Sequence, residues 1–206
     1  MSKQLSRRTV AAALVALPAC WTGVRAQPAR ERRATPSQTE GPFYPVALPA
    51  DSDADLLRNG SLEYTRGEPA WVEGVVTDLE GKPLAGAQVE IWQCDHAGHY
   101  HHPGDGGRAD PKFQGFGRMT LGSDGRYRFH TIRPAPYSGR TPHIHVKVRQ
   151  GGHELLTTQL YVAGEAGNAR DGLWRSLSAT QRERLTRPFV AGTQGLQAEF
   201  AVVVQA

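Results

Sequence analysis

Glycine and proline interrupt this chain so often that only short elements can form in it. The 23 glycines and 14 prolines separate brief segments rich in β-branched and aromatic residues. Proline withholds the backbone donor that a continuing helix or central strand needs. Residues 71–77 are the first such segment, and a turn at 78–82 follows. Residues 87–92 alternate strictly between apolar and polar side chains, the period of a half-buried strand. A turn at 123–126 leads into 127–132, residues 143–149 and 154–162 flank Gly151-Gly152, and 197–204 closes the set. Only 178–187 reads as helix, with Ser178 and Gln181 spaced as a capping box. Many short strands with one helix predict an all-β, single-domain β-sandwich. Trp71, Trp92 and Phe129 read as its core.

The N-terminal region departs from this pattern. Residues 1–26 hold the paired Arg7-Arg8, an apolar run over 10–19 and a small-residue exit at Ala26. That order predicts a removable twin-arginine export signal, whose apolar run is too short to span a bilayer. Cys20, after Leu17-Pro18-Ala19, offers a lipoprotein anchor as an alternative, weakened by the proline. Export predicts a periplasmic or secreted protein with no integral membrane segment in its mature form. The signal contains Lys3, Arg7, Arg8 and Arg25 and no acid, so 20 of the 24 basic residues remain against 20 acids. The net charge of +4 therefore vanishes, and nothing electrostatic favours nucleic acid or an anionic membrane. Cys94 is left without a partner for an internal disulfide. Residues 27–60, with prolines at 28, 36, 42, 45 and 49, read as an extended arm ahead of the sandwich at 61–206.

Groups able to do chemistry gather late in the chain. His143 and His145 flank Ile144, and strand alternation puts both imidazoles on one face while Ile144, Val146 and Val148 face the core. Two imidazoles so placed can share a metal ion. Pro134, Pro136, Pro142 and Gly139 fix the loop that delivers Tyr137 and Arg140 beside them. Tyr100 ends a strand that empties into a glycine loop, and loops at sandwich ends carry sites. His96, His99, His101 and His102, near Cys94, form a rival cluster with spacing able to bind zinc or copper. The polar glycine setting reads more simply as a solvated loop, with His99 or His101 able to line a pocket next to Tyr100. Cys94 lacks an activating partner and reads as a small buried residue.

Taken in order, residues 81–93, Gly98-x-Tyr100, Pro136-Tyr137 and Arg140-x-Pro142-His143-Ile144-His145 resemble the intradiol ring-cleavage dioxygenases. Residues 39–44 and 158–161 fit the same family, so the resemblance covers about residues 35–165. It implies a mononuclear non-haem Fe(III) held by Tyr100, Tyr137, His143 and His145, with Tyr137 and His145 axial. The donor chemistry agrees, since two phenolates beside imidazoles favour Fe(III) over Fe(II) or zinc. A small aromatic diol of the catechol type and O2 are the implied substrates, and a muconate-type diacid the product. The diol is implied to displace Tyr137, and Arg140 to stabilise negative charge on the ring. Gln159 is placed to support the ligands or touch the substrate. Tyr137 stands six positions before His143, where protocatechuate and catechol enzymes have a longer insertion, which implies a more open pocket. The long helical N-terminal region of catechol and hydroxyquinol enzymes has no counterpart in residues 27–60, so the protocatechuate type is the nearer comparison. Family members often assemble, which implies a homo-oligomer. Two other readings stay open: an exported transthyretin-like binding module without a redox metal, and a zinc or copper protein using loop 96–102.

Overall fold

The computed structural model of the chain describes residues 32–206. The export signal and the Cys20 anchor therefore lie outside the described residues, as do residues 27–31 of the arm. A small hairpin, β1 (Arg58–Asn59) and β2 (Leu62–Glu63), precedes the long strand β3 (Pro69–Thr77). Then come β4 (Gln88–Trp92), β5 (Phe116–Thr120), β6 (Arg126–Ile132), β7 (His143–Gln150) and β8 (His153–Val162). Two short helices, α1 (Gly172–Ser176) and α2 (Ala179–Leu185), lead into β9 (Thr186–Arg187), β10 (Val190–Gly192), β11 (Gly195–Glu199) and β12 (Val202–Val203).

The strands form the two sheets of the predicted sandwich. In one, β3 pairs antiparallel with β6 and parallel with β11 and β12, and β10 pairs with β11. The other runs β5-β4-β7-β8-β9. Between them lies a single large cluster. Val72, Val76 and Phe129 meet Val89, Ile91, Ile144, Val146, Val148 and Leu160 there, all without solvent exposure. Burial of each such side chain stabilises the fold by about 1.5–3 kcal/mol. The helix predicted at 178–187 is α2, and its Ser178–Gln181 capping box is present.

β7 is buried on both faces. Its second face is covered by the N-terminal arm, which is why Glu90, Lys147 and Gln159 can be buried there despite their polarity. Each finds a partner in or beneath the arm. The Tyr44 hydroxyl donates to Glu90 (2.9 Å), Lys147 pairs with Glu40, and Gln159 Nε2 donates to the Thr39 carbonyl (3.0 Å).

Several expectations need correction. Trp92 is buried on the arm-covered face, apart from the inter-sheet core that takes Phe129. Trp71 lies outside the core, stacked on His130 at 4.2 Å with the Arg128 guanidinium 3.8 Å from its ring centre. Residues 197–204 are broken into two strands around Phe200, which turns into the core. The arm also enters the core: Leu56 is fully buried, and β1 and β2 straddle the boundary drawn at residue 60. Residues 186–187 leave the helix and pair with β8. Among the described residues, no helix is long and apolar enough to cross a membrane.

Candidate functional site

β7 carries His143 and His145 side by side under the arm, with 1% exposure each. The His143 Nδ1–H donates to the Thr141 carbonyl at 2.6 Å, which fixes the tautomer and leaves Nε2 with its lone pair. That nitrogen faces His145 Nε2 at 3.2 Å. Two lone pairs so close need a proton or a cation between them. Neighbouring donors on one metal ion, with bonds of about 2.1 Å, would stand roughly this far apart. Burial lowers the His143 pKa to about 4, and burial together with His143 lowers that of His145 well below the usual value. Both rings are therefore neutral at neutral pH.

Tyr137 reaches the histidines through a tight turn. Its carbonyl accepts from the Arg140 amide (2.7 Å), and the two central residues, Ser138 and Gly139, have φ of 43° and 78°. Positive φ at both positions is the pattern of a type I′ turn, which sets its flanking residues beside each other. Tyr100 comes from a loop wound around two carboxylates. Asp95 accepts the amides of Ala97, His99 and Asp110, and Asp105 accepts that of Tyr100 itself, all at 2.9–3.0 Å. The two loops touch at Gly98, where φ is +85° and an added Cβ would lie 2.8 Å from the Pro136 carbonyl oxygen.

Four rings thus close a circuit. Centroid separations are 4.9 Å for Tyr100–Tyr137, 5.4 Å for Tyr137–His143, 4.8 Å for His143–His145 and 6.2 Å for His145–Tyr100. The Tyr100 hydroxyl and His145 Nδ1 are buried without a hydrogen-bond partner among the described residues. A buried hydroxyl without a partner is costly unless something else occupies its lone pairs. The donor set of two phenols and two imidazoles fits a metal ion with hard, anionic preferences. Burial raises the pKa of both phenols, Tyr100 the more strongly.

Arg140 stands beside the circuit. It donates through Nε to Asp171 and through Nη2 to Gln159, each at 2.7 Å. The Tyr161 hydroxyl lies 2.7 Å from Gln38 and 3.0 Å from Gln159. The six residues singled out in the sequence, Tyr100, Tyr137, Arg140, His143, His145 and Gln159, are therefore brought to one place. Three contributors were not anticipated. Trp92 stacks on His145 at 4.7 Å and 9°. Phe43 of the arm stacks on Tyr100 at 4.8 Å. Asp171 anchors Arg140. The alternation of residues 87–92 sets Trp92 on the face opposite Val89 and Ile91, and the strand register then places it beside His145, whereas Asp171 left only an N-cap signature before a helix too short to read.

The rival histidine cluster does not assemble. His96 pairs with the Tyr64 hydroxyl (2.7 Å), His99 lies near Asp105 (3.3 Å), His101 meets the Phe113 carbonyl, and His102 accepts the Gly104 amide (3.0 Å). Among the described residues, no three His, Cys, Asp or Glu side chains converge as metal donors. His101 instead lines a cavity of about 130 Å³ that also touches Tyr100, Trp92 and Phe43. Cys94 is fully buried, as expected, and burial pushes its thiol up to about 12.

Known proteins are similar to this chain. A family model described as "Dioxygenase" matches residues 39–205. The chain is 34% identical over 180 residues to a protocatechuate 3,4-dioxygenase beta chain from Burkholderia cepacia, covering 80% of this chain and 76% of that one. It is 36% identical over 151 residues to a catechol 1,2-dioxygenase from Candida albicans, covering 63% of this chain and 47% of that protein. The chain spans about half the length of this and other catechol and hydroxyquinol 1,2-dioxygenases it matches. Among solved structures, the dioxygenase domain of a dioxygenase–carbohydrate-binding fusion from Streptomyces sp. SirexAA-E is similar with a TM-score of 0.68 at 33% identity. That match covers 84% of this chain and 99% of the domain.

Proposed function

Because the chain belongs to the intradiol ring-cleavage dioxygenase family, we propose that it opens the ring of a catechol-type diol with O2, using Fe(III) held by Tyr100, Tyr137, His143 and His145. One observation carries the reading: the closed circuit of two phenols and two neutral imidazoles, with facing nitrogens 3.2 Å apart and an unpartnered Tyr100 hydroxyl. When bound, ferric ion supplies Lewis acidity toward the diol and the redox capacity to engage O2.

This chain's residues supply the setting. His143 and His145 present lone pairs that need no deprotonation at neutral pH. Tyr100 and Tyr137 must lose protons, which burial opposes, so a cation's charge is required to form the phenolates. Tyr137 is the half-exposed member of the four, so its phenolate oxygen is the base that can take a proton from an arriving diol and swing aside. Arg140, held by Asp171 and Gln159, keeps a positive charge beside the rings and stabilises an anionic aromatic. Phe43 and Gly41 cover Tyr100 and His145 and exclude water.

The visible spectrum of the ferric-loaded protein, taken before and after anaerobic addition of catechol, tests the reading. A broad phenolate-to-iron band that shifts with catechol is the expected result. A protein that stays colourless after ferric loading would sink the iron assignment and favour a metal-free binding module. The proposal extends to twin-arginine export into the periplasm and to a homo-oligomer. Cell fractionation and light scattering check these, and a cytoplasmic monomer would contradict both.

A further inference from the structure

The four rings differ in exposure. Tyr100 is 2% exposed and His143 and His145 are 1% exposed, while Tyr137 is half-buried. Tyr137 and Arg140 form part of the wall of an open cleft of about 560 Å³. The cleft runs between the turn at residues 136–142 and the loop at 165–170, with Arg133 at its side. A volume of that size suits a ligand larger than a single six-membered ring.

The charge of the lining is specific. Three guanidinium groups, Arg133, Arg140 and Arg170, meet one carboxylate, Glu165. Glu165 is taken by Arg133, and Arg140 is held by the buried Asp171. Arg170 has no ion-pair partner among the described residues. A guanidinium in this setting offers a planar pair of donors to a carboxylate.

We propose that the substrate is a catechol with an extended side chain ending in a carboxylate. Its ring enters past Tyr137 and its carboxylate lies against Arg170, with Arg133 in support. The inference rests on the ring-cleavage reading above and adds Arg170 as a specificity-determining residue. A neutral side chain of the same length would fill the cleft and leave the Arg170 charge unanswered.

The test compares three compounds on the ferric-loaded protein: plain catechol, a catechol bearing a propenoate chain, and the methyl ester of that acid. Oxygen uptake gives kcat/KM for each, and anaerobic titration calorimetry gives the affinity for acid and ester. The expected result is a preference for acid over ester of about fivefold, the scale of one solvent-exposed ion pair. The preference should shrink in high salt, vanish in Arg170→Gln and reverse in Arg170→Glu. Equal handling of acid and ester by the unaltered protein, with catechol still consumed, would overturn the proposal and leave the dioxygenase reading standing. Failure to consume any of the three would overturn the dioxygenase reading itself, and the substrate assignment with it.

Discussion

Asp171 ties the fold to the site through one carboxylate. Oδ1 accepts the Leu173 and Trp174 amides at 2.9 and 3.0 Å and so caps α1. Oδ2 accepts from Arg140 Nε at 2.7 Å and from the Thr141 amide at 2.9 Å. Burial alone would raise its pKa, but the Trp174 amide, Arg140 and the Thr141 amide outweigh that and hold it below the ordinary 3.8. A depressed pKa contributes stability that is present above 3.8 and lost as pH falls through the lower folded value. Asp171→Ala should cost about 3 kcal/mol at neutral pH, because it removes a cap and leaves Arg140 unpaired. Denaturant unfolding checks this. The gap between parent and variant should narrow well below pH 3.8, and a gap independent of pH would contradict the ion-pair account. Sequence reading missed this residue for a physical reason. Its partner lies 31 positions away, and α1 has 5 residues, too few to show a helical period. His143 and His145 were legible because the two-residue strand period fixes their face. Tyr100 and Tyr137 were legible through family resemblance, since no periodicity links a loop tip to a turn.

Among the elements, the arm has the most unexpected role. Its prolines predicted an extended segment. Its contact with the face carrying the histidines could not be read from spacing, because arm and β7 lie far apart in sequence. The same gap explains the two tryptophans. Trp92 is buried by the arm rather than by the opposite sheet, and Trp71 finds cover between Arg128 and His130. The arm passes over His145 at Gly41, where φ is +73° and an added Cβ would lie 3.3 Å from His145 Cε1. Gly41→Val should therefore strain the backbone by about 1–2 kcal/mol and push the arm off the histidines. The expected signs are faster proteolysis within the arm and a weaker iron-dependent absorption band, with the far-ultraviolet circular dichroism of the sandwich retained. A variant with the parent's colour and protease resistance would show that the arm's position is not needed at the site.

At the scale of the whole molecule, the described residues, 32–206, form one compact unit. Its inter-sheet core was legible from alternation and from turn residues. The covered outer face was not, since its buried charges depend on the distant arm. One unit with one large core should unfold in a single cooperative transition. The proposed ligands come from separate stretches: a loop at Tyr100, a turn at Tyr137 and the start of β7. An unfolded chain cannot hold them together, so ferric binding must add to folding stability. At a free-ion concentration a thousandfold above the dissociation constant, the gain is about 4 kcal/mol. For a domain of this size that raises Tm by about 10 °C. Tyr100→Phe should unfold near the parent's metal-free Tm and lose most of the ferric increment, because it removes a buried oxygen donor and keeps the ring packed on Phe43. Tyr137→Phe should lose less, since its ring is half-exposed and its position is the one a diol would take. Thermal scans with and without ferric ion, run on parent and both variants, decide the matter. An equal shift in all three would place the ion elsewhere, and no shift in the parent would mean that the circuit of rings does not hold it.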